Sequence, residues 1–291
     1  VLMLIIWCQK KKMIIIDMNQ ISLASLMMNL NINKTTEVDE DMVRHMILNS
    51  VRMYRSMFKE KYGEVILTYD SRHYWRRDIF PQYKMNRKKS REKDKLDWNN
   101  IFEALNKIKA EFKEILPYKF LEVYGAEADD IIGILCKKYS TEKIMIVSGD
   151  KDFIQLQKYN NVNQYSPIIK KHINGQKPNT YIKEHILKGD TSDGIPNVLS
   201  PDHTFTDGLR QIPLSKKKIE AWSKSETGMS DEVRRNFQRN QKLIDLDNTP
   251  SSLEQKILQE FDEAPCGDRS KLLNYFIHSR LKELTESIGD F

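Results

Sequence analysis

Cysteine is scarce in this chain. Cys8, Cys136 and Cys266 lie far apart, and none sits in a CxxC or Cys/His ligand spacing, so neither a disulfide scaffold nor a zinc site is indicated. That usage suits a reducing, intracellular compartment. The six histidines are equally scattered (His45, His73, His172, His185, His203 and His278), no HExxH occurs, and they read as surface or core residues. There is no GxxxxGK[ST] loop for a nucleoside triphosphate, no DxD after the first strand-like run as a phosphoaspartyl phosphatase needs, and no internal repeat. The one apolar opening stretch, Val1 to Trp7, is too short to span a bilayer, and Lys10–Lys12 follow it where a signal peptide has its charges first. With Val1 read as an alternative start codon, Met13 is a plausible true start and residues 1–12 an extension. No membrane partner is expected.

Acids and bases are abundant instead. The chain has 291 residues, 40% hydrophobic and 30% charged, enough for a sizeable core in one large or two ordinary domains. Its 47 Lys and Arg exceed 41 Asp and Glu, giving a net charge of +6, which fits a polyanionic partner. Three apolar strand-like runs each stop at acid: Met13–Ile16 at Asp17, Val65–Tyr69 at Asp70, and Lys143–Ser148 at Asp150 and Asp152. A polar turn after Asp17 leads to a helix from about Val38 to Lys59, and another helix crosses Asp94 to Lys113. Between the second and third runs, Glu127, Asp129 and Asp130 open an apolar helix, with Glu127 and Asp130 on one face. Strands alternating with helices imply an α/β parallel sheet covered on both faces, whose carboxyl edge would gather these acids. Asp190 and Asp193 follow in a Gly- and Pro-containing turn, past a soft boundary near residues 186–200, and the remainder reads as mostly helical.

So many carboxylates cannot all stay ionised in one cleft unaided. Ligands that are all oxygen select hard cations such as Mg²⁺, with Mn²⁺ as a substitute, and their number suggests two ions. Paired divalent ions about 4 Å apart suit in-line displacement at a phosphodiester. Beside them, residues 72–93 carry nine Lys or Arg against two acids, interleaved with Tyr74, Trp75, Phe80 and Tyr83. This segment reads either as a solvated helical face with an aromatic inner stripe or as a basic arch that grips phosphates and stacks bases.

The ordered stretches IIIDMNQ, ILTYDS, FPQYKMNR, GAEADD, SGDKDFIQL and KGDTSDGIPNV resemble the motifs of the 5'-nuclease (flap endonuclease, PIN-like) superfamily. VRHMILNS, YWRRD, ILKGD and the LTESIGDF ending are most similar to the T-even bacteriophage ribonuclease H branch. The resemblance implies a PIN-like catalytic domain over residues 13–186, with the arch at 72–93, and a smaller helical duplex-binding domain over 187–291. It implies a monomeric 5'-to-3' exonuclease and flap endonuclease with ribonuclease H activity, which removes RNA primers and adjoining DNA from lagging-strand fragments in the host cytoplasm. DNA and RNA–DNA duplexes would be substrates, with a single-strand-binding protein and a sliding clamp as partners. Asp17, Asp70, Glu127 and Asp129 would serve one metal. Asp129 would be shared with a second, held by Asp150, Asp152 and Asp193, with Asp130 and Asp190 as additional or outer acids. Lys84 and Arg87 would face the scissile phosphate. Arg76 and Arg77 would hold flanking phosphates, Tyr83 belongs to the same nucleic-acid face, and Lys216–Lys218 would contact the duplex. The glycine spacing of the family's GxGxK turn, which often goes with a monovalent ion, is absent from residues 198–213, VLSPDHTFTDGLRQIP. The alternative is an inactive nucleic-acid-binding replisome protein that retains the fold.

Overall fold

The computed structural model describes residues 12–175, 177–265 and 268–291. The expected extension over residues 1–12 falls, apart from Lys12, outside the described residues. A central strand, β1 (Met13–Asp17), is buried at all five positions. It pairs in parallel with β2 (Glu64–Thr68) on one side and with β4 (Ile144–Val147) on the other. β3 (Lys119–Leu121) extends the first side, and β5 (Val162–Ser166) and the antiparallel edge strand β6 (Lys171–His172) extend the second, in the order β3-β2-β1-β4-β5-β6. A strand buried on both faces needs apolar residues at successive positions, which Met13–Ile16 supplies. Ile14 and Ile16 join one core cluster, and Met13 and Ile15 the other.

Register brings the acids together. Asp17 lies opposite Thr68, two residues before Asp70, and Ile16 lies opposite Val147, three before Asp150. The three acids therefore leave the same carboxyl edge. Strand order reverses at β1, so the crevice between β1 and β4 is the switch point where such sheets bind ligands.

The expected polar turn after Asp17 is a helix, α1 (Met18–Asn33), whose first turn is capped by Asp17 accepting from the Gln20 amide. Its buried face mixes Leu26 and Leu30 with Ser22, Ser25 and Asn29, which hides the helical period from a hydrophobicity reading. α2 (Glu40–Tyr62) starts at the Asp39 cap and buries Val43, Ile47, Val51, Tyr54 and Phe58 on the sheet. A short helix, α3 (Arg76–Ile79), and α4 (Met85–Glu92) occupy the basic segment. α5 (Trp98–Ile115) is capped by Asp97, α6 (Ala128–Lys138) opens at Glu127, and α7 (Pro178–Lys188) leads into the Asp190–Asp193 turn.

Residues 189–215 are turns and irregular chain, and beyond them the described residues are mostly helical: α8 (Lys216–Lys224), α9 (Asp231–Ile244), α10 (Ser251–Glu263), α11 (Ser270–His278) and α12 (Lys282–Glu286). The halves expected on either side of residues 186–200 share their cores. Leu272, Phe276 and Phe291 pack into the α2 face of the sheet, and Leu253, Ile257 and Phe261 into the α6 face. A third cluster joins Tyr74, Phe80 and Tyr83 of the basic segment to Ile186, Ile219 and Phe237. Where the family's glycine turn would lie, the carbonyls of Pro196, Val198 and Ser200 accept from the Asn236 and Asn240 amides of α9. Among the described residues no helix is long and apolar enough to cross a membrane.

Candidate active site

Asp17, at the end of β1, accepts from the Ser148 hydroxyl at 2.9 Å, which ties the ends of β1 and β4. Asp70 accepts from the Ala128 amide at 2.8 Å and so fixes the start of α6 against β2. Gly149 donates to Gln20 at 2.6 Å, and Asp150 caps its own turn by accepting from the Asp152 amide at 2.9 Å. The Asp190 carboxylate likewise gathers the Ser192 amide (2.7 Å), the Ser192 hydroxyl (2.6 Å) and the Asp193 amide (3.2 Å). Gly189 makes that turn possible at φ +67°, where a Cβ would stand 2.4 Å from the Ile195 carbonyl oxygen.

The carboxylates are electrostatically crowded. Burial pushes Asp17 up to about 7, and Asp70 adds to the shift. Asp70 is raised by burial and by Glu127, and Asp129 is raised by burial, with Asp150 beside it. Burial and Asp150 push Asp152 up to about 8, while Asp150 itself is raised by burial and by Asp193 and Asp190. Asp129, Asp152, Asp190 and Asp193 line one small gap. The structure thus brings Asp17, Asp70, Glu127, Asp129, Asp150, Asp152, Asp190 and Asp193 to a single edge. A cluster in which acids outnumber the neighbouring cations fits divalent ions with mainly oxygen ligands.

Lys84 enters this cluster from the basic segment. Its ammonium is 2.5 Å from Glu127 and 3.6 Å from Asp193. Burial opposes its charge, but Asp193, Glu127 and Asp70 outweigh that and hold it well above the usual lysine range. Its backbone is left-handed (φ +59°), an uncommon conformation for a side chain with a Cβ, and its amide donates to the Asp193 carbonyl at 2.7 Å. Arg87 pairs with Asp193, and its Nε donates to the Ser192 carbonyl at 3.0 Å. An open groove lined by Asp70, Tyr74, Arg77, Lys84, Arg87, Lys88 and Arg91 runs from the acids into the basic segment. Arg77 is exposed over the Tyr74 ring, and Lys216, Lys217 and Lys218 are exposed on the first turn of α8.

Three residues expected at metal or nucleic acid are internal instead. Asp130 is fully buried, with one oxygen accepting from the Glu127 amide (3.0 Å), Arg76 (2.9 Å) and Trp75 Nε1 (3.2 Å), and the other from the Thr249 hydroxyl (3.1 Å). It closes a capping box and has no oxygen turned to the cleft. Arg76 is 2% exposed, held by Glu127, Asp130 and the Leu243 carbonyl, so no phosphate reaches it. Tyr83 is equally buried and donates to Glu127 (3.0 Å) and Asp193 (2.8 Å), which makes it a brace between two acids and removes it as a platform for bases. Tyr74, Phe80 and Tyr83 of the aromatic stripe therefore belong to the core, while Arg77, Lys88, Lys89 and other polar or apolar residues of the segment face solvent.

One residue of the cluster was not anticipated. His185, near the end of α7, places Nδ1 3.3 Å from Asp152 and Nε2 3.4 Å from Asp190. Burial opposes its protonation, but Asp190 and Asp152 outweigh that and raise it; the His185 ring and Ser192 in turn hold Asp190 well below the usual carboxylate range, against the effect of burial. The sequence signal was its position on the last turns of the helix that delivers Asp190.

Comparison with known proteins agrees with this geometry. Residues 12–187 match the family model of the 5'-3' exonuclease N-terminal resolvase-like domain, and residues 176–291 match that of the T4 RNase H C-terminal region. The chain is 34% identical to the ribonuclease H of Enterobacteria phage T4 over 97% of its own length and 96% of that protein's. It is 32% identical to a 5'-3' exonuclease of Buchnera aphidicola subsp. Schizaphis graminum over 66% of this chain and 67% of that one. Among solved structures, a bacteriophage T5 flap endonuclease in a pseudo-enzyme–product complex with DNA and metal ions superposes with a TM-score of 0.60 over 86% of this chain and 98% of that one, at 17% identity. A T5 5'-exonuclease with bound zinc ions superposes at 0.58 over 87% and 98%, at 16% identity. The chain belongs to the 5'-3' exonuclease family, with a C-terminal region of the T4 RNase H type, and is a nuclease, a phosphodiesterase.

Proposed function

We propose that this nuclease is a Mg²⁺-dependent 5'-to-3' exonuclease and flap endonuclease with ribonuclease H activity, which removes RNA primers and adjoining DNA during phage DNA replication in the host cytoplasm. The observation that carries the reading is the meeting of carboxylates from five separate stretches of chain at one sheet edge, beside an exposed basic groove. Its relatives, named as a ribonuclease H and a flap endonuclease seen with DNA and metal ions, support the substrate class.

The donor set fits two divalent ions. Asp17, Asp70 and Asp129 would hold one, with Glu127 acting through water, and Asp129, Asp150, Asp152 and Asp193 the other, with Asp190 as an additional acid beside Asp152. Bound ions supply Lewis-acid charge at the scissile phosphate and lower the pKa of the attacking water. Lys84 and Arg87 donate to the phosphoryl oxygens as negative charge builds there, oriented by Glu127, Asp193 and the strained backbone of Lys84. Arg77, Lys88 and Arg91 take flanking phosphates along the groove, and the helix N-terminus bearing Lys216–Lys218 takes the duplex backbone. Residues 187–291 act as the duplex-binding part, and docking to a single-strand-binding protein or sliding clamp belongs to the same replication role.

The test is incubation of the pure full-length protein with a 5'-labelled flap duplex and with an RNA-primed duplex, in Mg²⁺ or EDTA, with product sizing. Both substrates are cut in Mg²⁺ and neither in EDTA. Asp150→Asn abolishes cleavage while binding persists, and Lys84→Ala lowers turnover by about 10²–10³-fold with a smaller effect on binding. Undiminished cutting in EDTA or by Asp150→Asn would overturn the proposal.

A further inference from the structure

His185 introduces a nitrogen donor into a cluster otherwise made of oxygen. One ligand atom each from Asp152, His185 and Asp190 lie within 4.8 Å of one another. Both ring nitrogens face carboxylates, Nδ1 toward Asp152 and Nε2 toward Asp190. The Nδ1 atom is shielded from solvent and has no hydrogen-bond partner, although its carboxylate neighbour is close enough for an ion pair. Asp190 turns one oxygen to three donors in its own loop and leaves the other toward the imidazole. The ring is fixed by the Tyr181 side chain one turn earlier on α7, edge-on with centroids 5.6 Å apart. The three atoms already lie close enough that a single divalent ion would need only side-chain movements to be shared among them.

We infer that His185 is a direct imidazole ligand of a divalent ion held with Asp152 and Asp190, and that it biases this position toward borderline ions such as Mn²⁺ over Mg²⁺. The inference rests on the metal-dependent reading above and deepens it at one of its two ion positions. The chemistry is that of ligand softness. Mg²⁺ prefers oxygen and keeps its waters, whereas imidazole suits the later first-row ions. Of the described acids at this edge, only Asp152 and Asp190 have His185 within ion-pair distance, so the bias belongs to their position and leaves the Asp17–Asp70 position selective for hard ions.

The experiment titrates the metal-stripped full-length protein with MnCl₂ and separately with MgCl₂ by calorimetry, for wild type, His185→Gln and His185→Leu. It also records electron spin-echo modulation of bound Mn²⁺, which detects a coordinated nitrogen. Expected are a nitrogen coupling in the wild type that disappears in both variants, a fall of about 10-fold or more in Mn²⁺ affinity, and less than about 3-fold for Mg²⁺. Absence of nitrogen coupling in the wild type, or equal losses for the two ions, would overturn the inference. If a variant fails to fold, the wild-type spectrum decides alone. Nitrogen-coupled Mn²⁺ in a protein that cuts no nucleic acid would leave this inference standing and sink the proposed function. Cleavage with an all-oxygen spectrum would do the reverse.

Discussion

Asp129 and Asp130 are neighbours on the first turn of one helix, yet they solve opposite electrostatic problems. Asp130 is closed in by Arg76, Trp75, Thr249 and the Glu127 amide, so each of its oxygens has a donor. No donor among the described residues reaches the carboxylate of Asp129. It lines the gap with Asp152, Asp190 and Asp193, and burial together with Asp150 raises its pKa. One acid is neutralised by hydrogen-bonded partners of its own protein; the other feels Lys84 at a distance but is left without a bonded partner, open to a cation from solution. Buried charge without a partner costs stability, so a fold that keeps Asp129 there holds it for binding or chemistry.

The sharpest way to break this contrast is to exchange a carboxylate for an amide at Asp129. Asp129→Asn is expected to lower cleavage by at least about 10³-fold, because in the proposed arrangement both ion positions lose a shared ligand, while the metal-free melting temperature holds or rises as repulsion is relieved. Kinetics with calorimetry checks both halves. Cleavage that survives would put Asp129 on the structural side with its neighbour.

Asp130→Ala should show the reverse. Removing one partner of a buried pair leaves Arg76 short of charge and the helix start without its box, a loss of about 3–5 kcal/mol in denaturant unfolding. A change below about 1 kcal/mol would mean that Glu127 alone satisfies Arg76.

The sequence made the convergence of these acids legible but not the division of labour between the two neighbours. Apolar runs ending at Asp17, Asp70 and Asp150 specified parallel strands, and parallel register placed their ends together. Nothing in GAEADD says which acid turns inward, because that depends on Arg76 arriving from a segment some 50 positions earlier. The sequence suggests Arg76 and Tyr83 as nucleic-acid contacts for the same reason: a basic, aromatic stretch looks alike whether its inner stripe meets a base or a core. β3, with three residues, and β5, with polar Asn163 and Gln164, were too short or too polar to stand out from loop. His185 has no signal beyond its place on the helix before Asp190, because a lone histidine carries no ligand spacing and only folding brings Asp152 to it.

A pH titration sharpens the comparison with a smaller effect. Burial pushes the Asp17 and Asp152 carboxyls up to about 7 and about 8, from the ordinary aspartate value of 3.8. Raised acids stabilise the folded state fully below the unfolded value, and that contribution is lost as pH rises through the folded one. In chelator, the melting temperature should therefore fall steadily between pH 5 and pH 8.5, by about 2–4 °C for each kcal/mol lost, and Mg²⁺ at the upper end should restore it. The slope should persist in Asp130→Ala and shrink in Asp129→Asn. A flat profile in the wild type would mean that Lys84 and the other internal cations already compensate the cluster.

The smallest effect concerns cations that, unlike Arg76, stay outside. Lys216, Lys217 and Lys218 are exposed around a helix start capped by Ser215. Each phosphate contact contributes about 0.9 to the slope of log affinity against log salt on a DNA duplex. Changing all three to Ala should flatten that slope by roughly 1 to 3 and weaken duplex binding, with turnover at saturating substrate little changed, as measured by anisotropy across a salt series. An unchanged slope would make this face merely solvated, and the cations that position the duplex would then have to be sought along the Arg77–Arg91 groove, close to the acids instead of away from them.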